Sequence, residues 1–204
     1  MYRLYGRQGA GSVAPQLLLE ELGLPYEMIW VTREEGQQAD YRSVNPTGKV
    51  PALVLPDGTP IFESAAIVIH LTLVQPSDLA PPPGTTEHAR FLQWMAYLST
   101  ALYETFLRFY YSDRYSSAGA VDAPRIKSQA HDDLDRCFDL LETALSPNLL
   151  GERLSAADFY LWMLATWAEP SPEELYRHFP KIGELARRIE ERPAAQKVLA
   201  ANRG

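Results

Sequence analysis

The sequence predicts a mixed α/β domain over residues 1–74 followed by an all-helical domain over residues 87–204. Three observations carry this expectation. Short strand-like and helix-like runs alternate as far as Val74. The stretch "QPSDLAPPPGTT" (75–86) then places four prolines and a glycine in twelve residues, the composition of a linker. Beyond it, apolar residues recur at helical spacing.

"YRLYG" (Tyr2 to Gly6) reads as a short strand. A helix follows over "PQLLLEELG" (Pro15 to Gly23). Proline suits its first turn, where an N–H would lack a partner anyway. Gly23 closes it, and Pro25 prevents its continuation. "YEMIWV" (Tyr26 to Val31) is a second strand, and "ADYRSV" supports a short helix. "VPALVL" and "PIFE" are strands joined at Asp57-Gly58, a good hairpin pair. "SAAIVIHLTLV" is the third helix, opening at Ser64, a favoured N-cap. The order is β-α-β-α-β-β-α, so one crossover pairs two parallel strands and a hairpin adds an antiparallel pair.

In the second part, Phe91, Met95, Leu98 and Leu102 predict one long helix from Glu87 to Tyr111. Leu134, Cys137, Phe138, Leu141 and Leu145 share a face of a helix from Ala123 to Leu145. "LSAADFYLWMLATWA" (154–168) is mostly apolar, as a central buried helix is. Two further helices are expected near Pro180 to Glu191 and Pro193 to Ala201.

The 204 residues are 46% hydrophobic and 22% charged, ordinary globular values that permit a real core. A net charge of −7 with no clustered Lys or Arg argues against a nucleic-acid partner. Cys137 is the one cysteine, so no intrachain disulfide forms, which suits a reducing compartment. The N-terminus has no apolar signal-peptide core, and no apolar run approaches the ~20 residues of a membrane span. A cytoplasmic protein without a membrane partner is expected.

Several short motifs bear on function. "LSAADF" carries Ser155 and Asp158 as a capping box that starts the buried helix, with Leu154 and Phe159 as a staple. "GAGSVAP" (residues 9–15) is a strand-to-helix loop holding Ser12 where a helix start favours an anion. In "NPTGKVPAL", Pro51 sits at the first position of a strand, which allows either peptide isomer. "ESAA" places Ser64 at a helix start, able to bind a carboxylate, with Glu63 beside it for an ammonium. Together they match an amino-acid head group. The four histidines show no metal-ligand spacing.

These residues together resemble the cytosolic glutathione transferases. The marks are "KVPAL", "ES" at the start of the third helix, "LSAAD" at the buried helix and "FPKIGELARRIEERPAAQKVL" at the end, in order across a proline-rich linker. The resemblance implies a thioredoxin-like domain over 1–74, a linker over 75–86 and an all-helical domain over 87–204. "GAGSVAP" and "DYRSVNPTGKVPAL" look most like the bacterial beta class. That class has a cysteine directly before the loop serine, and here the position is Gly11. A mixed disulfide with glutathione at the loop is therefore impossible.

By position, the resemblance implies that Val50 pairs its backbone with the cysteinyl part of glutathione, before a cis Pro51. Glu63 and Ser64 hold the γ-glutamyl end, and Lys49 reaches the glycine carboxylate. Ser12 is the first choice to stabilise the thiolate, with Tyr5 as the rival hydroxyl. Lowering a thiol pKa of ~8.5 by ~2 units takes ~2.7 kcal/mol. One charge-assisted hydrogen bond of ~1.5–3 kcal/mol plus a helix end is sufficient. Tyr103, Phe106, Tyr110 and Arg114 are candidates to contact a hydrophobic electrophile.

The implied function is conjugation of the glutathione thiolate to such electrophiles. Glutathione is then a co-substrate, no metal or redox cofactor is needed, and the partner is a second copy of the chain. The alternatives are a glutathione-dependent isomerase or dehalogenase on the same fold, or a non-catalytic binding protein.

Overall fold

The computed structural model describes residues 1–203. The chain forms two compact units, Met1–Ala80 joined by the chain from Arg187 on, and Pro81–Ala186.

The first unit is built on a four-stranded sheet ordered β2-β1-β3-β4. Its strands are β1 (Tyr2–Gly6), β2 (Tyr26–Trp30), β3 (Ala52–Val54) and β4 (Pro60–Phe62). β1 runs parallel to β2 and antiparallel to β3, and β4 is antiparallel to β3. Tyr2, Leu4 and Gly6 are buried on one face of β1 while Arg3 is exposed on the other, the alternation a strand imposes. Helix α1 (Val13–Glu21) buries Leu17, Leu18 and Leu19 completely, each contributing about 1.5–3 kcal/mol. A short helix α2 (Ala39–Val44) and the longer α3 (Ser64–Val74) complete the first 80 residues, α3 packing on α1.

The last helix, labelled here α10 (Pro193–Asn202), also packs on α1. Both oxygens of the Glu21 carboxylate accept from Arg192 at 2.6 Å, and Lys197 pairs with Glu20 at 3.3 Å. The contacts therefore group the chain end with the α/β unit, whereas the sequence expectation carries the helical domain to residue 204. Helical periodicity identifies the helix but cannot name the surface it covers.

The second unit contains α4 (Thr86–Tyr97), α5 (Tyr103–Tyr110), α6 (Ala123–Ala144), α7 (Ala156–Ala165), α8 (Pro172–His178) and the start of α9 (Pro180–Glu190). The helix expected to be continuous from Glu87 to Tyr111 is interrupted by a π-helical turn at Leu98–Leu102. The Ser99 and Thr100 hydroxyls both donate to the Ala96 carbonyl, at 3.1 and 2.8 Å, and so compete with backbone donors there. In α6, Leu134, Cys137, Phe138 and Leu141 are buried as the periodicity requires. Every residue of α7 is buried. Helix α8 escapes sequence reading because it is short and follows a proline-serine run that looks like a loop. Ser171 caps it by accepting from the Glu174 amide at 3.3 Å. Among the described residues no helix is long and apolar enough to cross a membrane.

Candidate active site

Strand register brings three sequence-distant segments to one end of the sheet. Tyr5 lies opposite Ala52, and Ala52 opposite Phe62. The β1–α1 loop, the Lys49–Pro51 segment and the Glu63–Ser64 corner each leave this row on the same side. Neighbouring strands lie about 4.8 Å apart, so a ligand the length of a tripeptide spans all three.

The Val50–Pro51 peptide is cis, as the resemblance implies. Val50 precedes β3, and among the described residues neither its N–H nor its C=O has a partner. The peptide before it is firmly held. The Lys49 carbonyl accepts from the Tyr41 hydroxyl and from Asn45 Nδ2, both at 2.6 Å. Thr47 donates its hydroxyl to Asn45 Oδ1 at 2.8 Å. Burial pushes the Tyr41 hydroxyl up to about 12, so it remains a donor at neutral pH. Gly48 adopts a φ of +69°, and a Cβ there would lie 2.8 Å from the Gly36 carbonyl oxygen. Two glycines thus let the two loops cross in contact.

Glu63 has a φ of 72° and is the one non-glycine residue in the left-handed region among those described. That conformation costs about 1–3 kcal/mol and clusters at ligand sites. It turns the chain directly into α3, where Ser64 is buried and Glu63 is exposed. The side chain of Lys49 is likewise exposed.

The β1–α1 loop is closed by its own serine. Ser12 is fully buried. Its hydroxyl donates to the Arg7 carbonyl at 3.1 Å and accepts from the Arg7 amide at 3.3 Å. The hydroxyl expected to face a thiolate is therefore spent on the loop. Tyr5 belongs to the opposite face of β1 from Gly6, against which Ser12 packs, and its ring lies 5.7 Å from that of Tyr41. The structure thus puts the two candidate hydroxyls on different sides of the sheet. What the loop leaves over is backbone. The Ala10 amide donates to Arg7 and the Val13 amide to Ala10, and Pro15 has no N–H. The amides of Gly11 and Ser12, both buried residues, have no acceptor among the described residues. Buried backbone donors are rarely left unpaired.

Residues 14–72 match the glutathione S-transferase N-terminal domain, and residues 101–201 the C-terminal domain. A GST-like protein of Escherichia coli K12, YncG, is 30% identical, with 99% of this chain and 98% of that protein covered. The chain belongs to the glutathione S-transferase family. A glutathione transferase from Methylococcus capsulatus is 34% identical, covers 99% of this chain and 98% of its own, and superposes with a TM-score of 0.83. A homolog from Sulfitobacter, solved with bound glutathione, reaches a TM-score of 0.88 at 27% identity, with 98% of both chains covered.

In this transferase the four aromatic and basic candidates of the helical unit do not form one set. Tyr103, Phe106 and Tyr110 gather around Trp167. The Tyr103 and Trp167 rings are 4.9 Å apart, and the Tyr110 hydroxyl donates to the Trp167 carbonyl. Phe106 is almost completely buried against Phe138 and Trp167, so it is core and has no face left for a ligand. Arg114 lies apart, stacked 4.4 Å above the ring of Tyr111. Among the described residues of the transferase, no cluster of three or more His, Cys, Asp or Glu side chains is placed to hold a metal ion.

Sequence reasoning missed Tyr41 and Asn45. The turn in "NPTGK" was visible, but not that its asparagine and a tyrosine one helical turn earlier clamp the same carbonyl.

Proposed function

We propose that this transferase conjugates the thiolate of glutathione to hydrophobic electrophiles and that the Gly11 and Ser12 amides hold the sulfur. The observation that carries the reading is that pair of buried, unpaired amides at the start of α1, at the same end of the sheet as the unpaired Val50 backbone. Two N–H donors at ~1.5–3 kcal/mol each for a charged acceptor, with a helix end adding ~0.3–1 kcal/mol, supply more than the ~2.7 kcal/mol needed to ionise the thiol at neutral pH. Ser12 then acts through the loop, and Tyr5 has no part in ionisation. Val50 pairs with the cysteinyl backbone, Glu63 and Ser64 take the γ-glutamyl head, and Lys49 meets the glycine carboxylate. The thiol proton leaves to solvent. The sulfur lone pair forms a carbon–sulfur bond, and either a leaving group departs with its electron pair or the adduct takes a proton from water. Tyr103 and Tyr110 remain the electrophile contacts, since each keeps accessible surface. Pairing with a second copy is supported by apolar side chains left facing solvent, Leu73 on α3 and Leu92 and Leu140 on the helical unit.

The test is the ultraviolet absorbance of the bound thiolate, titrated against pH. Wild type and Tyr5→Phe are both expected to show a thiol pKa one to two units below the free value of ~8.5. The rate advantage is largest below the lowered pKa, shrinks as pH rises through the interval between the two values, and is gone above the free one. A Tyr5→Phe titration returning to the free value assigns ionisation to the tyrosine instead.

The clamp on Lys49 gives a separate expectation. Tyr41→Phe keeps the ring against Tyr5 and removes the bond to the Lys49 carbonyl. A net hydrogen bond of ~0.5–1.5 kcal/mol corresponds to a roughly two- to tenfold rise in KM for glutathione. With kcat unchanged, steady-state kinetics at varied glutathione isolate the effect. An unchanged KM removes Tyr41 from the binding argument.

A further inference from the structure

We infer that Asn202, near the far end of the chain, is a positioning residue for thiol ionisation: it anchors the β1–α1 loop that presents the Gly11 and Ser12 amides. The inference rests on the reading of those amides given above.

Helix α10 lies along α1, held there by the Arg192–Glu21 and Lys197–Glu20 pairs. From its last turn, Asn202 Oδ1 accepts from the Gly9 amide at 3.1 Å, at the tip of the loop. Asn202 Nδ2 donates to Gln16 Oε1 at 2.9 Å and to the Val198 carbonyl at 2.8 Å. One amide group therefore ties the loop tip, α1 and α10 together. Gln16 is itself buried, and its Nε2 donates to the Tyr26 hydroxyl at 3.3 Å, which donates to Glu20 at 2.9 Å. Asn202 thus joins a chain of bonds braced at both ends.

The consequence for ionisation follows from the loop's own geometry. Gly9 has a φ of +63° and stands two residues before Gly11. The Ala10–Arg7 turn bond and the Ser12–Arg7 pair help set the direction of the next amides. Losing the Asn202 bond loosens the tip of the turn, and hydrogen-bond strength falls steeply as donors leave their line. A neutral side chain 193 residues away in sequence from Gly9 then influences the sulfur without touching it.

The experiment compares Asn202→Ala with Arg192→Ala in the full-length protein, using thiolate absorbance of bound glutathione against pH, kcat/KM for a model electrophile, and thermal unfolding. Arg192→Ala weakens the seating of α10 without touching the loop. The expected result is a rise of about half to one unit in the bound thiol pKa of Asn202→Ala, seen as a roughly three- to tenfold loss of rate below the wild-type pKa. That loss closes as pH passes the free thiol's value, and KM for glutathione stays within about twofold of wild type. Arg192→Ala lowers the unfolding temperature and leaves the thiol pKa where it is. A wild-type titration curve in Asn202→Ala overturns the inference. So does an equal pKa shift in both variants, which would make α10 docking rather than the Gly9 bond responsible. A wild-type protein that ionises glutathione no better than solution does overturns the reading of the amides themselves, a result distinguishable from the other two.

Discussion

Gly6→Ala is expected to lower kcat/KM about a hundredfold at neutral pH while the protein remains folded. A Cβ at Gly6 would stand 2.5 Å from Ser12 Oγ, 2.6 Å from Ser12 Cβ and 2.5 Å from the end of Met28. The methionine tip is flexible and can yield. Ser12 cannot, because its hydroxyl is bonded both ways to Arg7 and its backbone starts α1. The new methyl therefore pushes the loop, and with it the two free amides. Overpacking of this kind costs about 1–3 kcal/mol of stability. Misplacing a catalytic group by about 1 Å costs on the order of 10²-fold in rate. Rate is thus hit harder than stability. The double variant Gly6→Ala/Met28→Ala separates the two contacts. If the loop is the cause, making room at Met28 restores little. Near-wild-type turnover in the single variant, or full recovery in the double, would show that the position of Ser12 does not matter to the sulfur.

That dependence on Gly6 explains where sequence reading stopped. The strands, the α1 boundaries and the hairpin follow from alternation, Pro15, Gly23 and Asp57-Gly58, all short-range signals. The cis Pro51 and the Glu63–Ser64 corner were reachable through motif resemblance. The sequence reading turns the Ser12 hydroxyl toward a ligand, whereas the structure bonds it both ways to Arg7. A serine at a helix start is equally able to face a ligand or its own backbone, and the choice depends on the close approach of Gly6 across the strand end. Phe106 is a similar case: helical spacing puts it on a face with Tyr103 and Tyr110, while Phe138 and Trp167 enclose it. Asn202 left no local signal at all. Its partners distant in sequence are Gly9 and Gln16, and only the docking of α10 on α1 brings them within reach.

The helical unit raises the complementary case, in which a functional-looking carboxylate serves the fold alone. Asp158→Ala is expected to destabilise the protein by about 4 kcal/mol and leave the chemistry of the folded fraction intact. Asp158 is fully buried. Its Oδ1 accepts from the Leu149 amide at 2.8 Å, and its Oδ2 from the Ser155 amide and hydroxyl, both at 2.8 Å. The capping box anticipated from "LSAADF" is formed, and the bond to Leu149 extends it to the loop before α7. Truncation strands the donors in a place water does not reach, at ~1–3 kcal/mol for each unsatisfied group. It also removes a negative charge from the start of a helix, worth ~0.3–1 kcal/mol. Losses above ~4 kcal/mol are rare and mark a network of this kind. For a chain of this size each kcal/mol moves the unfolding temperature by about 2–4 °C, giving a fall of about 8–16 °C. Asp158→Asn is the sharper probe, because the shape is kept while one oxygen becomes a donor facing donors. It should recover less than half of the loss. Ser155→Ala, which removes one cap, should cost only ~1 kcal/mol. Thermal and denaturant unfolding measure all three, and thiolate absorbance at a temperature where the variants are folded should match wild type. A loss below about 1 kcal/mol in Asp158→Ala would mean that the Leu149 loop and α7 find other partners, and that the buried carboxylate is held for a reason other than the start of this helix.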